Sequence, residues 1–194
     1  MQHDSSMFTL TARVLHWLMA TLIVAMIFIG VGMVASVSER HLWLVRLHKL
    51  LGIALLALAV VRLTVRIRHR PPALPPDLSK FQRLAARASH WLLYVLMFAM
   101  PLIGWAMLSA GGYPVMLSES VRLPSIFPVS AAAFAVLRQL HGWLATLLFL
   151  TFLGHMAAAL HHGLIRRDGV LSSMTAQPAR SRRYQPPVAD HATS

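Results

Sequence analysis

One stretch constrains this chain more than any other. From Arg138 to His162 the sequence is an apolar run long enough to span a bilayer, and it carries His141 near its start and His155 14 residues later. On an α-helix that step is about 21 Å along the axis and ends roughly 40° short of a whole number of turns. The two imidazoles therefore leave nearly the same face, one towards each side of the membrane. A span needs no histidine for stability, and ionisable groups inside one are functional candidates by default. Two metal centres stacked across the membrane, each held partly by this helix, would account for the pair.

Composition agrees with a membrane chain. Of 194 residues, 57% are hydrophobic and 12% charged, against about 25% charged in soluble domains; the mean hydropathy is +0.61. The length suits one all-α unit of four spans, an integral membrane four-helix bundle. We expect a four-span domain over residues 8–172 and a disordered, basic cytoplasmic tail over 173–194. The spans are expected near Ala12–Val34, Leu42–Val65, His90–Ser109 and Leu137–Leu164. The first reads as a retained span rather than a removed signal peptide, because no small-residue cleavage site follows it. Arg66-Ile67-Arg68-His69-Arg70 and the prolines after it cannot continue a helix. A basic amphipathic approach, Lys80 to Arg87, leads to the third span, where Pro101 should introduce a kink.

Charge sets the orientation. Only five of the 18 basic residues (Arg40, Arg46, Lys49, Arg122 and Arg138) flank the first and third connections; the other 13 flank the second connection and the termini. The positive-inside rule then puts both termini in the cytoplasm and explains the net charge of +12 without nucleic acid. Trp17, Trp43, Trp91 and Trp143 fall near span ends, as an aromatic belt requires. All six acids fall in loops or tails, which argues against a proton pump built on intramembrane carboxylates. The absence of cysteine excludes disulfides, thiolate-held iron–sulfur clusters and covalent haem attachment, leaving 11 histidines as the strong metal ligands.

With this topology the histidines pair by depth. His16 and His155 lie towards the cytoplasmic side, His48 and His141 towards the outer side. Two imidazoles at equal depth on different helices are what bis-histidine ligation of haem b needs. Zinc is the weaker alternative, because a structural zinc gathers four ligands at one point. Gly52, Gly142 and Gly154 would leave room for a flat macrocycle; close helix packing in lipid explains them equally well. Arg13, Arg46, Lys49 and Arg138 adjoin the candidate ligands and suit either haem propionates or snorkelling to the surface. His90 opens the third span as a propionate or quinone contact or as an interfacial residue, the last being preferred. His162, seven residues beyond His155, falls on the same helical face and is a candidate quinone or propionate contact on the cytoplasmic side.

Several short motifs together resemble the bacterial cytochrome b561 family, the four-helix di-haem membrane cytochromes that include superoxide oxidase. They are His16-Trp17, Arg46-Leu47-His48-Lys49 with Gly52, and His90-Trp91-Leu92-Leu93-Tyr94 followed by Met100-Pro101 and Gly104-Trp105. Gly112-Tyr113-Pro114, Leu123-Pro124, His141-Gly142-Trp143 and His155 complete the set. The resemblance covers roughly residues 8–172. It implies two haem b groups on His16/His155 and His48/His141, with ubiquinone as substrate or bound cofactor. It also implies electron transfer from a periplasmic one-electron donor, superoxide or a protein, to the quinone, that is, a superoxide:quinone oxidoreductase. Two other classes are set beside it: an electron-transfer anchor serving a partner dehydrogenase or soluble cytochrome, and a haem-free structural bundle.

Overall fold

The computed structural model describes residues 8–69 and 78–175. The N-terminal residues, Arg70 and the prolines of the second connection, and the basic tail from 176 onward lie outside the described residues. Each long helix begins at a polar cap. Thr9 opens α1 (Leu10–Ala35), its hydroxyl accepting from the Ala12 N–H at 3.3 Å. Ser36 and Ser38 are extended and separate it from α2 (Glu39–Arg68). Glu39 in the first turn of α2, and Arg66 and Arg68 in its last, complement the helix dipole at both ends.

The third helix, α3 (Lys80–Ala110), starts a full ten residues before the span expected from hydropathy. Its start is a capping box: the Gln82 N–H donates to the Ser79 hydroxyl at 3.2 Å, and the Gln82 side chain accepts from the Ser79 N–H at 3.0 Å. The amphipathic approach is thus the first turns of the same helix. Pro101 sits inside α3 and removes one hydrogen bond from its ladder.

Ser130 caps α4 (Ala131–Leu160), accepting from the Ala133 N–H at 3.3 Å. Beyond Leu160 the helix widens into a π-helical turn, His161–Arg166. Arg167 and Gly169, both at positive φ, then reverse the chain into the one-turn α5 (Ser172–Thr175). Residues 173–175, assigned to the tail from sequence, belong to this turn.

Packing is strongest between α1 and α2 and between α3 and α4, with α2 against α3 joining the two hairpins. Few side chains are fully buried; Met19 and Leu96 are the largest. The exterior is apolar instead, with Phe28 72% and Val34 90% exposed. All four long helices are long and apolar enough to cross a membrane, with best-window hydropathies from 1.8 to 2.6. Such a surface is stable against lipid and unstable against water. The chain is a multi-pass membrane protein, consistent with a place in the bacterial inner membrane.

The 111–130 loop folds back over the end of α3. Trp105 donates its indole N–H to the Pro124 carbonyl at 3.0 Å, and the Ile126 N–H donates to the Ser109 hydroxyl at 3.2 Å. At the other end of the bundle, Arg13 Nη2 donates to the Thr175 carbonyl at 3.2 Å and the Trp17 indole donates to the Met174 carbonyl at 3.1 Å. The start of α1 and the end of the described chain therefore share one end. We call the histidine layer nearer that end proximal and the one nearer the 111–130 loop distal.

Candidate functional site

The antiparallel hairpins bring the histidines together as two pairs. In the proximal layer the His16 and His155 ring centroids are 6.4 Å apart, with planes inclined by 72°. In the distal layer the His48 and His141 centroids are 6.3 Å apart, inclined by 70°. Each pair joins helices from different hairpins. An imidazole nitrogen binds a first-row metal at about 2 Å, so two imidazoles trans on one metal have centroids roughly 6 Å apart. Both pairs fit that separation.

Hydrogen bonding supports the fit. Among the described residues, the buried His48 Nδ1 and His141 Nδ1 make no hydrogen bond that meets the usual distance and angle limits. Buried ring nitrogens without partners are costly unless a bound group satisfies the rings. Among the described residues no group of three or more His, Asp or Glu side chains converges as a closed zinc site requires. Two facing imidazoles suit a metal that brings its other donors with it, as a porphyrin iron does.

The four helices repeat one step. The 14 residues from His141 to His155 on α4 recur on α2 from His48 to Arg62, on α3 from His90 to Gly104, and on α1 from His16 to Gly30. Two of these positions were missed in the sequence. Arg62 reaches the proximal layer, its Nη2 3.1 Å from His16 Nδ1 and its Nη1 donating to the Ala12 carbonyl at 3.4 Å. Gly104 lies against the distal pair: a Cβ there would come within 3.2 Å of His141 Cε1. Applying the α4 spacing to α2 and α3 would have found both.

His90, preferred at the interface from sequence, instead packs inward, its ring 5.2 Å from His155. Its neighbour Trp91 takes the exposed position, 69% accessible. One turn beyond Arg62, Arg66 stacks over the Tyr94 ring at 5.3 Å. Arg13 donates to Thr175, and its buried Nε has no hydrogen-bond partner among the described residues. Arg46, Lys49 and Arg138 flank the distal layer, and none forms an ion pair among the described residues. A Cβ at Gly142 or Gly154 would meet nothing within 4 Å, and one at Gly52 would meet only Met26 at 3.9 Å.

His162 is the second residue of the π-helical turn, so only the last steps from His155 leave the 3.6-residue period. Its orientation comes from the chain reversal. His162 Nδ1 is 2.5 Å from Asp168 Oδ2, and Arg166 Nε lies 3.4 Å from the same oxygen. Partial burial works to raise the Asp168 carboxyl, but the His162 ring, the Val170 N–H and the Arg166 guanidinium outweigh it and hold the group below the usual carboxylate range. Gly163 lets the reversal close, since a Cβ there would overlap the Leu171 side chain.

Comparison with known proteins identifies the family of the chain. The family described as prokaryotic cytochrome b561 matches residues 7–177. Cytochrome b561 homolog 2 of Escherichia coli K12 is 33% identical over 82% of this chain and 86% of that protein. The probable superoxide oxidase CybB of Yersinia pestis is 30% identical over 82% of this chain and 90% of that protein. Cytochrome b561 homolog 1 of Escherichia coli K12 is 28% identical over 86% and 96%. With four apolar helices that bring histidines together in two layers, the chain belongs to the prokaryotic cytochrome b561 family.

Proposed function

We propose that this protein oxidises superoxide on the periplasmic side of the inner membrane and reduces ubiquinone near the cytoplasmic side. The observation that carries this reading is the pair of layers, with imidazole separations of 6.4 Å and 6.3 Å on helices that cross the membrane. His16 and His155 would hold one haem b, His48 and His141 the other. Haem bound at each pair supplies a one-electron iron couple. Two layers link a one-electron donor to a two-electron acceptor: two superoxide anions, one ubiquinone and two protons give two dioxygen molecules and one ubiquinol.

The chain's own residues divide the remaining work. Both termini lie in the cytoplasm, so the distal layer is periplasmic. Arg40, Arg46, Lys49, Arg122 and Arg138 surround the distal layer with positive charge, outnumbering Glu39 and Glu119, and draw the anion in. On the proximal side His162, held through Nδ1 by Asp168, presents its other ring nitrogen to a quinone oxygen and can deliver a proton there. The unit that does this spans residues 8–172, with the reversal around Asp168 at its edge.

The test is a stopped-flow visible spectrum of the oxidised, purified protein mixed with superoxide, with and without ubiquinone. Rapid growth of a reduced b-type α band, followed by reoxidation with quinone, is expected. The rate with superoxide should fall as ionic strength rises. His162→Ala should slow quinone reduction on the order of 10²-fold while both haem spectra persist. A protein with haem bands that ignores superoxide and accepts electrons only from a partner would be an electron-transfer anchor. A protein without haem bands, given adequate haem supply, would be a structural bundle.

A further inference from the structure

The proximal layer contains a guanidinium that the function above does not use. Arg62 is half-buried six residues before the end of α2, within a membrane span. It contacts His16 Nδ1 at 3.1 Å and the Ala12 carbonyl at 3.4 Å, and among the described residues no carboxylate pairs with it. A cation inside a span is expensive unless it faces an anion or water. Arg66, four residues on, has the Tyr94 ring; Arg62 has nothing comparable.

Its present contact is chemically exclusive. A guanidinium only donates, so His16 Nδ1 must accept. An imidazole bound to a metal through Nε2 carries its hydrogen on Nδ1 and cannot accept there. Ligation by that nitrogen leaves Arg62 a donor in need of an acceptor. A planar guanidinium suits a carboxylate, and haem carries two. At the equivalent helix positions the distal layer carries no cation: they hold the histidine pair and two glycines, Gly30 and Gly104, and its basic residues Arg46, Lys49 and Arg138 stand at other positions on their helices.

We propose that Arg62 is the counter-charge to a carboxylate of the proximal haem and makes that haem the more easily reduced of the two. The inference rests on the haem assignment above. A fixed positive charge near a redox centre favours its reduced, less positive form. Electrons arriving at the distal layer would then run downhill towards the quinone side.

The test is a spectroelectrochemical titration of the full-length protein in lipid nanodiscs, comparing wild type, Arg62→Gln and Arg62→Lys. Wild type should show two one-electron waves. Arg62→Gln should move the higher wave to lower potential and leave the lower wave in place; Arg62→Lys should keep both near wild type. Loss of one haem from Arg62→Gln with retention in Arg62→Lys would also support the counter-charge. Unmoved waves, an equal shift of both, movement of the lower wave alone, or the same change in both variants would overturn it. Two normal waves in wild type with an inert Arg62→Gln would sink only the arginine. A wild type without haem bands would sink the haem assignment as well.

Discussion

The two histidine layers share one scaffold and differ in what fills it. By a spacing of 14 residues every long helix offers one position to each layer, although a Cβ at Gly30, the position on α1, would meet nothing within 4 Å. In the distal layer those positions are His48, His141, Gly30 and Gly104. In the proximal layer they are His16, His155, His90 and Arg62. The imidazole pairs are spaced almost identically, 6.3 Å and 6.4 Å. The other two positions are small and neutral on one side, polar and cationic on the other. The imidazole-pair geometry is thus repeated by the fold, and the flanking residues are free to make the two layers unequal. In a low-dielectric span a nearby charge weighs heavily, so under the function proposed above this difference would give electron transfer a direction.

The comparison breaks most completely if the pairs are not independent. His141→Ala or His48→Ala should remove the distal haem and leave the proximal one, halving the haem-to-protein ratio in a pyridine haemochrome assay. His16→Ala should do the reverse. Loss of both haems from any one variant would mean that the layers form one unit.

A smaller effect should come from the distal glycine. A side chain at Gly104 must push against His141, because even a Cβ would sit 3.2 Å from its ring. Overfilling a packed site costs roughly 1–3 kcal/mol. Gly104→Val should therefore lower distal haem occupancy and leave the proximal spectrum unchanged. Gly154→Ala, where a Cβ meets nothing within 4 Å, should alter neither. A normal distal spectrum in Gly104→Val would show that the close approach has no bearing on the site. On the proximal side the matching probe is His90→Phe, which keeps a ring beside His155 but removes its nitrogens. Electron paramagnetic resonance should then report a change in the proximal centre alone.

These predictions concern residues that the sequence revealed unevenly. The bundle was legible because apolar runs of span length leave a chain few alternatives. The depth pairing was legible because a histidine is conspicuous within such a run. Arg62 was not, because an arginine late in a span looks like any cytoplasmic-side charge and was counted towards orientation. Gly104 was hidden for a different reason: a glycine's meaning lies in the neighbour that approaches it, here His141 on another helix. The start of α3 was displaced because hydropathy marks where lipid begins, whereas the Ser79–Gln82 capping box marks where the helix begins. His162 was placed by a constant helical period, which holds as far as Leu160; the π-helical turn that follows, and its contact with Asp168, carry no hydropathy signal.

The smallest predicted effect concerns the chain reversal, which only the proximal side possesses. Asp168 joins the His162 ring, Arg166 and the Val170 N–H, and the segment beyond it is tied to α1 through Arg13 and Trp17. Its carboxyl is held below the usual carboxylate range, so the folded reversal favours the ionised form. The stability this lends is fully present above the ordinary carboxylate pKa, about 3.9, and is lost as pH falls through the lower folded value. Amide exchange at Val170 and Ser173, corrected for its intrinsic pH dependence, should therefore be flat from neutral pH down to about 4 and faster below it. Asp168→Asn should abolish that acid step and raise local opening about fivefold at neutral pH, for roughly 1 kcal/mol. Both haem spectra should stay unchanged, because Asp168 touches neither histidine pair. If Asp168→Asn slowed quinone reduction as much as His162→Ala does, with both haems intact, the carboxylate would be setting the histidine's chemistry as well as anchoring the reversal. If it left quinone kinetics untouched, the proximal side would differ from the distal one through Arg62 and His90, with the reversal serving only as a fastening.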